Sequence, residues 1–303
     1  MKKHSAFTLI ELIMVIIVMG IVASIGADII ASMYENYLRT RAINRLQTQA
    51  EITLEQIAKR LQYRIKDSVR AWDIDTNTTT PLAQADATYE GMEWIGYSNE
   101  SFLGGWSGFL DFENNETNKS VRTLSTPGSN LTYAGTIINA LTYSDIDMST
   151  ATGDLPALIF KNPKTPFDIN KYYSQGTNNY TLRVYRDDDN SFHIPSDDNV
   201  TDFNGDGEGD LFENYVLSHT AYALIPVGSS DDFNLTLFYN YQPWQAGEGN
   251  YTTANAESRV LAEHVSTFRF LQQGTTMRLK LCIHDNNQSG DFDFSACKET
   301  VVY

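Results

Sequence analysis

The side chains with the clearest chemical spacing lie in one acidic segment. Residues 202–213 read Asp-Phe-Asn-Gly-Asp-Gly-Glu-Gly-Asp-Leu-Phe-Glu, which reproduces D-x-N-x-D-G-x-x-D-x-x-E, the spacing of a twelve-residue calcium loop. Alternate positions point inward as such a loop coils, so Asp202, Asn204 and Asp206 supply side-chain oxygens. Gly207 takes the sharp turn. Glu208 offers its backbone carbonyl, Asp210 a direct or water-mediated contact, and Glu213 a bidentate carboxylate. Hard oxygen donors suit Ca²⁺ better than Zn²⁺. Residues 193–198 do not have a helical pattern, so a full helix-loop-helix is not expected. The expected affinity is weak, roughly 10⁻⁴–10⁻³ M, and the role structural. The alternative is a solvated acidic turn in a chain rich in Asp and Gly. A second acidic stretch, 285–293, lacks the terminal Glu and is a poorer metal site.

Two further patterns carry chemistry. Asn-x-Ser/Thr occurs at Asn77, Asn99, Asn115, Asn118, Asn130, Asn179, Asn199, Asn234, Asn250 and Asn287, and seven of the ten have an acid two residues earlier. The acid content of the chain would give about one such case by chance. The pattern resembles the acidic acceptor of some bacterial oligosaccharyltransferases, and Asn77, Asn115, Asn118, Asn199, Asn234 and Asn250 are the expected glycosylation candidates. An Asp/Asn/Thr-rich composition producing such triplets by itself is the alternative. The third pattern is a single carboxylate, Glu11, inside an apolar run from Phe7 to Ile30. An acid in such a run costs about 2.5–3.5 kcal/mol at a bilayer centre and marks a function by default.

These groups need elements to position them. The apolar run is long enough to cross a hydrocarbon core of roughly 30 Å. Lys2 and Lys3 precede it and keep that end cytoplasmic, so the bulk of the chain faces outward. Ile43, Leu46, Ala50, Leu54, Ile57, Leu61, Ile65 and Val69 recur at steps of three and four, which extends one helix with an apolar stripe to Ala71. Such a helix, from Phe7, would measure about 98 Å. Residues 73–90 are Thr-rich and contain Pro81, which suggests a connector. Beyond them the pattern is β-like. Strands are expected at 157–160, 222–227, 235–241, 267–271 and 277–283, with a hairpin pairing 180–185 with 191–194. The fold class is therefore α+β: a long N-terminal helix packed on an antiparallel β-sheet head. The expected divisions are 1–6, 7–30, 31–72 and 73–303. Cys282 and Cys297 are the two cysteines, and in an oxidising compartment they are expected to pair.

The run Ala6-Phe7-Thr8-Leu9-Ile10-Glu11-Leu12 resembles the class III leader junction of type IV pilins and of the pseudopilins of type II secretion. The resemblance implies that a prepilin peptidase cuts between Ala6 and Phe7 and methylates the new terminus, and that Glu11 is the charge that sets register during assembly. The family usually has Gly before the cut, where Ala6 stands here; Ala is its commonest substitute. Residues 260–270 and the helix segment 54–61 are similar to elements of J-type minor pseudopilins and W-type minor pilins. A structural Ca²⁺ and a C-terminal disulfide loop also fit the family.

The resemblance implies a minor subunit that starts or caps a type II secretion pseudopilus or a type IV pilus. The alternatives are a tip adhesin of such a filament and a static membrane-anchored periplasmic protein. The partners implied are other pilin or pseudopilin subunits, prepilin peptidase and the inner-membrane assembly platform. The location implied is the inner membrane, single-pass, with the head in the periplasm or on a surface filament. The net charge of −16 over 303 residues argues against nucleic acid as a partner. The chain has no nucleophile elbow, no phosphate loop after a strand and no His pair at helical spacing, so no enzymatic activity and no catalytic residue is expected. His264 is expected to be a packed or surface histidine rather than a ligand.

Overall fold

The computed structural model describes residues 8–114, 117–118, 120, 122–161, 164, 166–174, 179–285 and 294–303. Helix α1 spans Leu9–Gln62, 54 residues, or about 81 Å at 1.5 Å per residue. It is shorter than the apolar periodicity suggests. The chain turns out of the helix at Tyr63 because its next residues find long-range partners. Ile65 N donates to Ile95 O at 2.8 Å, and Tyr97 N donates to Tyr63 O at 2.9 Å. The buried Arg64 guanidinium bonds the Leu61 carbonyl at 2.7 Å and reaches Thr275 O and Tyr303 O at 3.2 and 3.4 Å. It thereby satisfies one of the orphan carbonyls at the helix end. Ile65 and Val69, expected on the helix stripe, lie beyond that end.

The strands are β1 (Arg70–Asp73), β2 (Thr78–Pro81), β3 (Gly91–Gly96), β4 (Thr123–Ser125), β5 (Ala157–Phe160), β6 (Thr181–Arg183), β7 (Tyr185–Asp188), β8 (Ser191–His193), β9 (Tyr215–Ser218), β10 (Thr220–Ser229), β11 (Asp232–Tyr241), β12 (Glu257–Gln273), β13 (Thr276–His284) and β14 (Ser295–Val302). Eight of them form one sheet in the order β14-β13-β12-β11-β10-β3-β1-β2, antiparallel throughout. Two three-stranded sheets, β4-β8-β7 and β6-β5-β9, complete the head. Helix α2 (Asn99–Phe102) is a single turn. Helix α3 (Leu131–Leu141) starts at Asn130, whose side chain accepts from Tyr133 N, the arrangement of an N-cap.

The sheet carries a core on each face. On one side Leu46, Ala50, Leu54, Ile57 and Leu61 of α1 pack on Leu224, Leu235, Leu279 and Leu281. On the other, Ile95, Ala221, Ala223 and Ile225 pack on the small sheets and α3 through Leu158, Leu182, Phe192 and Ile138. Residues of neighbouring type alternate between the two cores, the period of two that a strand imposes.

Two sequence expectations change here. The segment 180–185 is not one strand. Val184, fully buried, breaks it, so β6 joins β5 while β7 turns back on β8. Asp198 holds the break by accepting from Arg183 N at 2.8 Å. The apparent connector 73–90 contains β2, which pairs with β1 at the sheet edge. Pro81 is tolerated there because an edge strand has one unpaired side.

Candidate functional site

The N-terminal end is built by its own capping chemistry. Thr8 is the N-cap of α1: Glu11 N donates to Thr8 Oγ1 at 3.4 Å, and Thr8 N donates to Glu11 Oε2 at 2.9 Å. This reciprocal pair is a capping box. Glu11 therefore has a partner within its own chain, and needs no neighbouring subunit to satisfy its carboxylate before assembly. Ala6 and Phe7 lie outside the described residues. From Leu9 to Leu38 no side chain is buried. Leu9, Ile16, Met19, Ile30 and Met33 are each more than 60% exposed. The helix is long and apolar enough to cross a membrane, and apart from Glu11, Ser24 and Asp28 its residues 9–30 are apolar or small on every face.

In the acidic loop Asp202 accepts from Gly205 N at 2.6 Å through Oδ1 and from Gly207 N at 2.7 Å through Oδ2. These backbone donors, Gly207 foremost, hold its carboxyl below the usual range. Asn204 Oδ1 accepts from Asp206 N, and Asp206 Oδ1 from Glu208 N, at 2.9 and 2.8 Å. Asp210 Oδ2 accepts from Phe203 N and Asn204 N at 2.6 and 3.1 Å. Gly205 and Gly207 take φ of 81° and 88°, the left-handed region that a Cβ disfavours. Phe203 anchors the loop by inserting between Tyr180 and Phe212. The oxygens thus turn toward the loop's own N–H groups, and Glu208 and Glu213 are exposed. Oxygen donors at the odd positions and glycine at the turn fit a hard cation.

Cys282 and Cys297 are joined by a disulfide between paired positions of β13 and β14. Most of the second acidic stretch, with Asn287, lies outside the described residues, as does Asn115. Among the acceptor sequons Asn77 is exposed in the β1–β2 turn at φ 54°. Asn118 and Asn199 are also exposed, whereas Asn234 and Asn250 are half-buried. Asn250 Oδ1 is occupied by Thr252 N at 2.9 Å.

Two features lay beyond the sequence signals. An open groove of about 920 Å³ runs past the end of α1, lined by Arg64, Tyr97, Trp106, Lys161 and Tyr172 among others. Asp232, His264 and His284 gather with potential ligand atoms within 4.8 Å of one another, so His264 has neighbours with ligand-type atoms that the sequence did not indicate. The signal was absent from the sequence because the three belong to three strands and meet only through their pairing.

The prokaryotic N-terminal methylation motif matches residues 1–27. No curated protein and no solved structure matches the chain. The motif supports a type IV pilin-like subunit that prepilin peptidase processes and that assembles with other pilin subunits. With the apolar helix and the antiparallel head, it fits a membrane-anchored protein carrying a C-terminal head.

Proposed function

We propose that the chain is a minor pilin-like subunit, of the J or W type, that starts or caps an inner-membrane-anchored filament of type II secretion or type IV pili. The observation that carries this is the division of α1. Its second half buries one face, Leu46, Ala50, Leu54, Ile57 and Leu61, against the sheet, while residues 9–38 project from the head with every apolar side chain uncovered. Lipid covers such a segment before assembly, and helices of sister subunits cover it afterwards. The bulk of the head, with a main sheet and two smaller ones, favours a subunit used at one place over one repeated along a narrow shaft. The test is the mature N-terminus. Mass spectrometry is expected to find loss of residues 1–6 and a methylated Phe7, and an intact Met1 in the assembled fraction would overturn it.

Within this proposal the head is structural and carries no catalytic step. The 202–213 loop is a Ca²⁺ site whose ion relieves the repulsion among Asp202, Asp206, Asp210 and Glu213, with the carboxylates exchanging backbone N–H bonds for the ion. Asn77, exposed in a turn with Asp75 before it and Thr79 after, is the favoured glycosylation site. The head lies in the periplasm or on the filament surface, and the inner-membrane assembly platform is the partner that receives the helix. A tip-binding role is the second reading, favoured by the aromatic and basic groove at the end of α1. Deletion separates the two: fewer filaments support an initiator, and normal filaments that no longer attach support the tip-binding role.

A further inference from the structure

Asp232 opens β11, His264 lies within β12 and His284 closes β13. Their chain neighbours Phe233, Val265 and Ile283 all point into the core under α1. The three polar side chains gather apart from those core residues, Asp232 and His264 42% and 36% exposed and His284 18% exposed. Val265 pairs with Ile283; His264 precedes the first and His284 follows the second, so the two lie side by side on facing antiparallel strands. Their rings stand 5.8 Å apart at 63°. Asp232 reaches both. His264 Nδ1 is 3.1 Å from Asp232 Oδ1 and 3.4 Å from Oδ2, and His284 Nε2 is 3.7 Å from the same Oδ1.

The backbone departs from regular pairing to make this meeting. The β11–β12 register shifts between Phe233 and Leu235, and the β12–β13 register between Val265 and Thr267. His264 itself sits at φ 54°, left-handed and unusual for a residue with a Cβ inside a strand. Bulges re-aim side chains, and strain of this kind persists where the surroundings impose it. His284 Nδ1 is buried with no hydrogen-bond partner, so the polar contact of that ring is made at Nε2, toward Asp232.

Two imidazole nitrogens and one carboxylate oxygen form a borderline donor set, suited to a divalent transition metal and poorly suited to Ca²⁺. Metal–ligand distances of about 2.0–2.1 Å in a tetrahedron place ligand atoms about 3.3 Å apart. The observed 3.1 and 3.7 Å contacts to Asp232 Oδ1 bracket that edge. We propose that Asp232, His264 and His284 form a three-ligand site for a divalent transition-metal ion of the Zn²⁺ class, with water completing the coordination. The ion ties β11, β12 and β13 together beside the Cys282–Cys297 disulfide. The donors differ from those of the 202–213 loop, so this site stands independently of any Ca²⁺ there.

The test uses the full chain in detergent, stripped with EDTA and titrated with Co²⁺ alone. Visible d–d absorption is expected to saturate at one equivalent and to be displaced by Zn²⁺. His264→Gln and His284→Gln each remove a direct ligand and are expected to weaken binding by more than the roughly 10–100-fold typical of outer-shell changes. Far-UV circular dichroism checks that each variant is folded, and Asp232→Asn, at an exposed position, supplies a further ligand change outside the core. Asp202→Ala is expected to leave the titration unchanged. Absence of stoichiometric absorption, or absorption that survives the His264→Gln/His284→Gln double variant, overturns the site and leaves His264 hydrogen-bonded to Asp232 with His284 beside them.

Discussion

Glu93 is the most exacting test of how the head is held together. It lies in β3, is fully buried, and its two oxygens are fully used. Oε2 accepts from Arg70 Nε at 2.6 Å and Trp72 Nε1 at 2.7 Å, and it pairs with Arg70 Nη2 at 2.6 Å. Oε1 accepts from Tyr241 Oη at 2.5 Å. Arg70 is itself 5% exposed, with its guanidinium 3.5 Å from the centroid of the Tyr173 ring. Glu93→Gln preserves the shape. The amide oxygen keeps the Arg70 and Trp72 donors, and the amide N–H can donate to the Tyr241 hydroxyl. What is lost is charge, leaving Arg70 buried without its counterion. Breaking a buried pair from one side costs about 3–5 kcal/mol. At about 2–4 °C per kcal/mol for a domain of this size, the melting midpoint falls by roughly 6–20 °C. Trp72 reports from within the network, so urea unfolding followed by tryptophan fluorescence is the assay. Arg70→Met added to Glu93→Gln removes the stranded cation and keeps the amide's contacts with Trp72 and Tyr241. The double variant is expected to be more stable than Glu93→Gln alone. A Glu93→Gln loss below about 1 kcal/mol, or a double variant weaker than the single, refutes the ion pair as the organising interaction.

Three further outcomes follow from other parts of the molecule. Glu11→Ala removes one arm of the capping box and is expected to leave leader cleavage intact while lowering incorporation into filaments; normal incorporation in a pull-down of assembled subunits counts against a register role. At 1 mM Ca²⁺ and a dissociation constant of 10⁻⁴–10⁻³ M, the head should gain about 0.4–1.4 kcal/mol, reversed by EGTA and absent in Asp202→Ala; a melting curve indifferent to EGTA removes the calcium site. Burial pushes the His219 imidazole down to about 4, and its Nδ1 has no hydrogen-bond partner. The unfolded chain then takes the proton first, so stability is lost as pH falls from 6.5 toward 4, by up to roughly 3 kcal/mol. His219→Asn should flatten that part of the profile, and an unchanged slope would assign the acid sensitivity elsewhere.

Local patterns were legible in the amino-acid sequence wherever one residue constrains its near neighbours. The apolar run with Glu11 and the three-and-four stripe from Leu46 to Leu61 specify α1 because helical contacts span a single turn. Alternation and turn residues specify β5 and β10 to β13, and the break at Gln272–Thr276 closes the β12–β13 hairpin as expected. The leader motif is equally local. The helix end was not legible. Ile65 and Val69 continue the stripe, and it takes the distant partners of the next residues, Ile95 for Ile65, Tyr97 for Tyr63, and Thr275 and Tyr303 for Arg64, to decide that the chain leaves at Tyr63. Nor was the split of 180–185, which depends on Asp198 reaching back to Arg183. Short strands such as β1 and β3 carry no period of their own when both faces are buried. The acidic loop is a contiguous string, so its candidate donors could be named in advance. Asp232, His264 and His284 could not be, because strand register and two bulges bring them together. The order of the amino acids specifies the apolar anchor, the lone carboxylate Glu11 within it and the α+β class, all products of short-range spacing, whereas the capping role of Glu11 emerges from the structure. The tertiary structure alone decided where the helix ends and which side chains converge, because those outcomes depend on pairings between residues far apart in the chain.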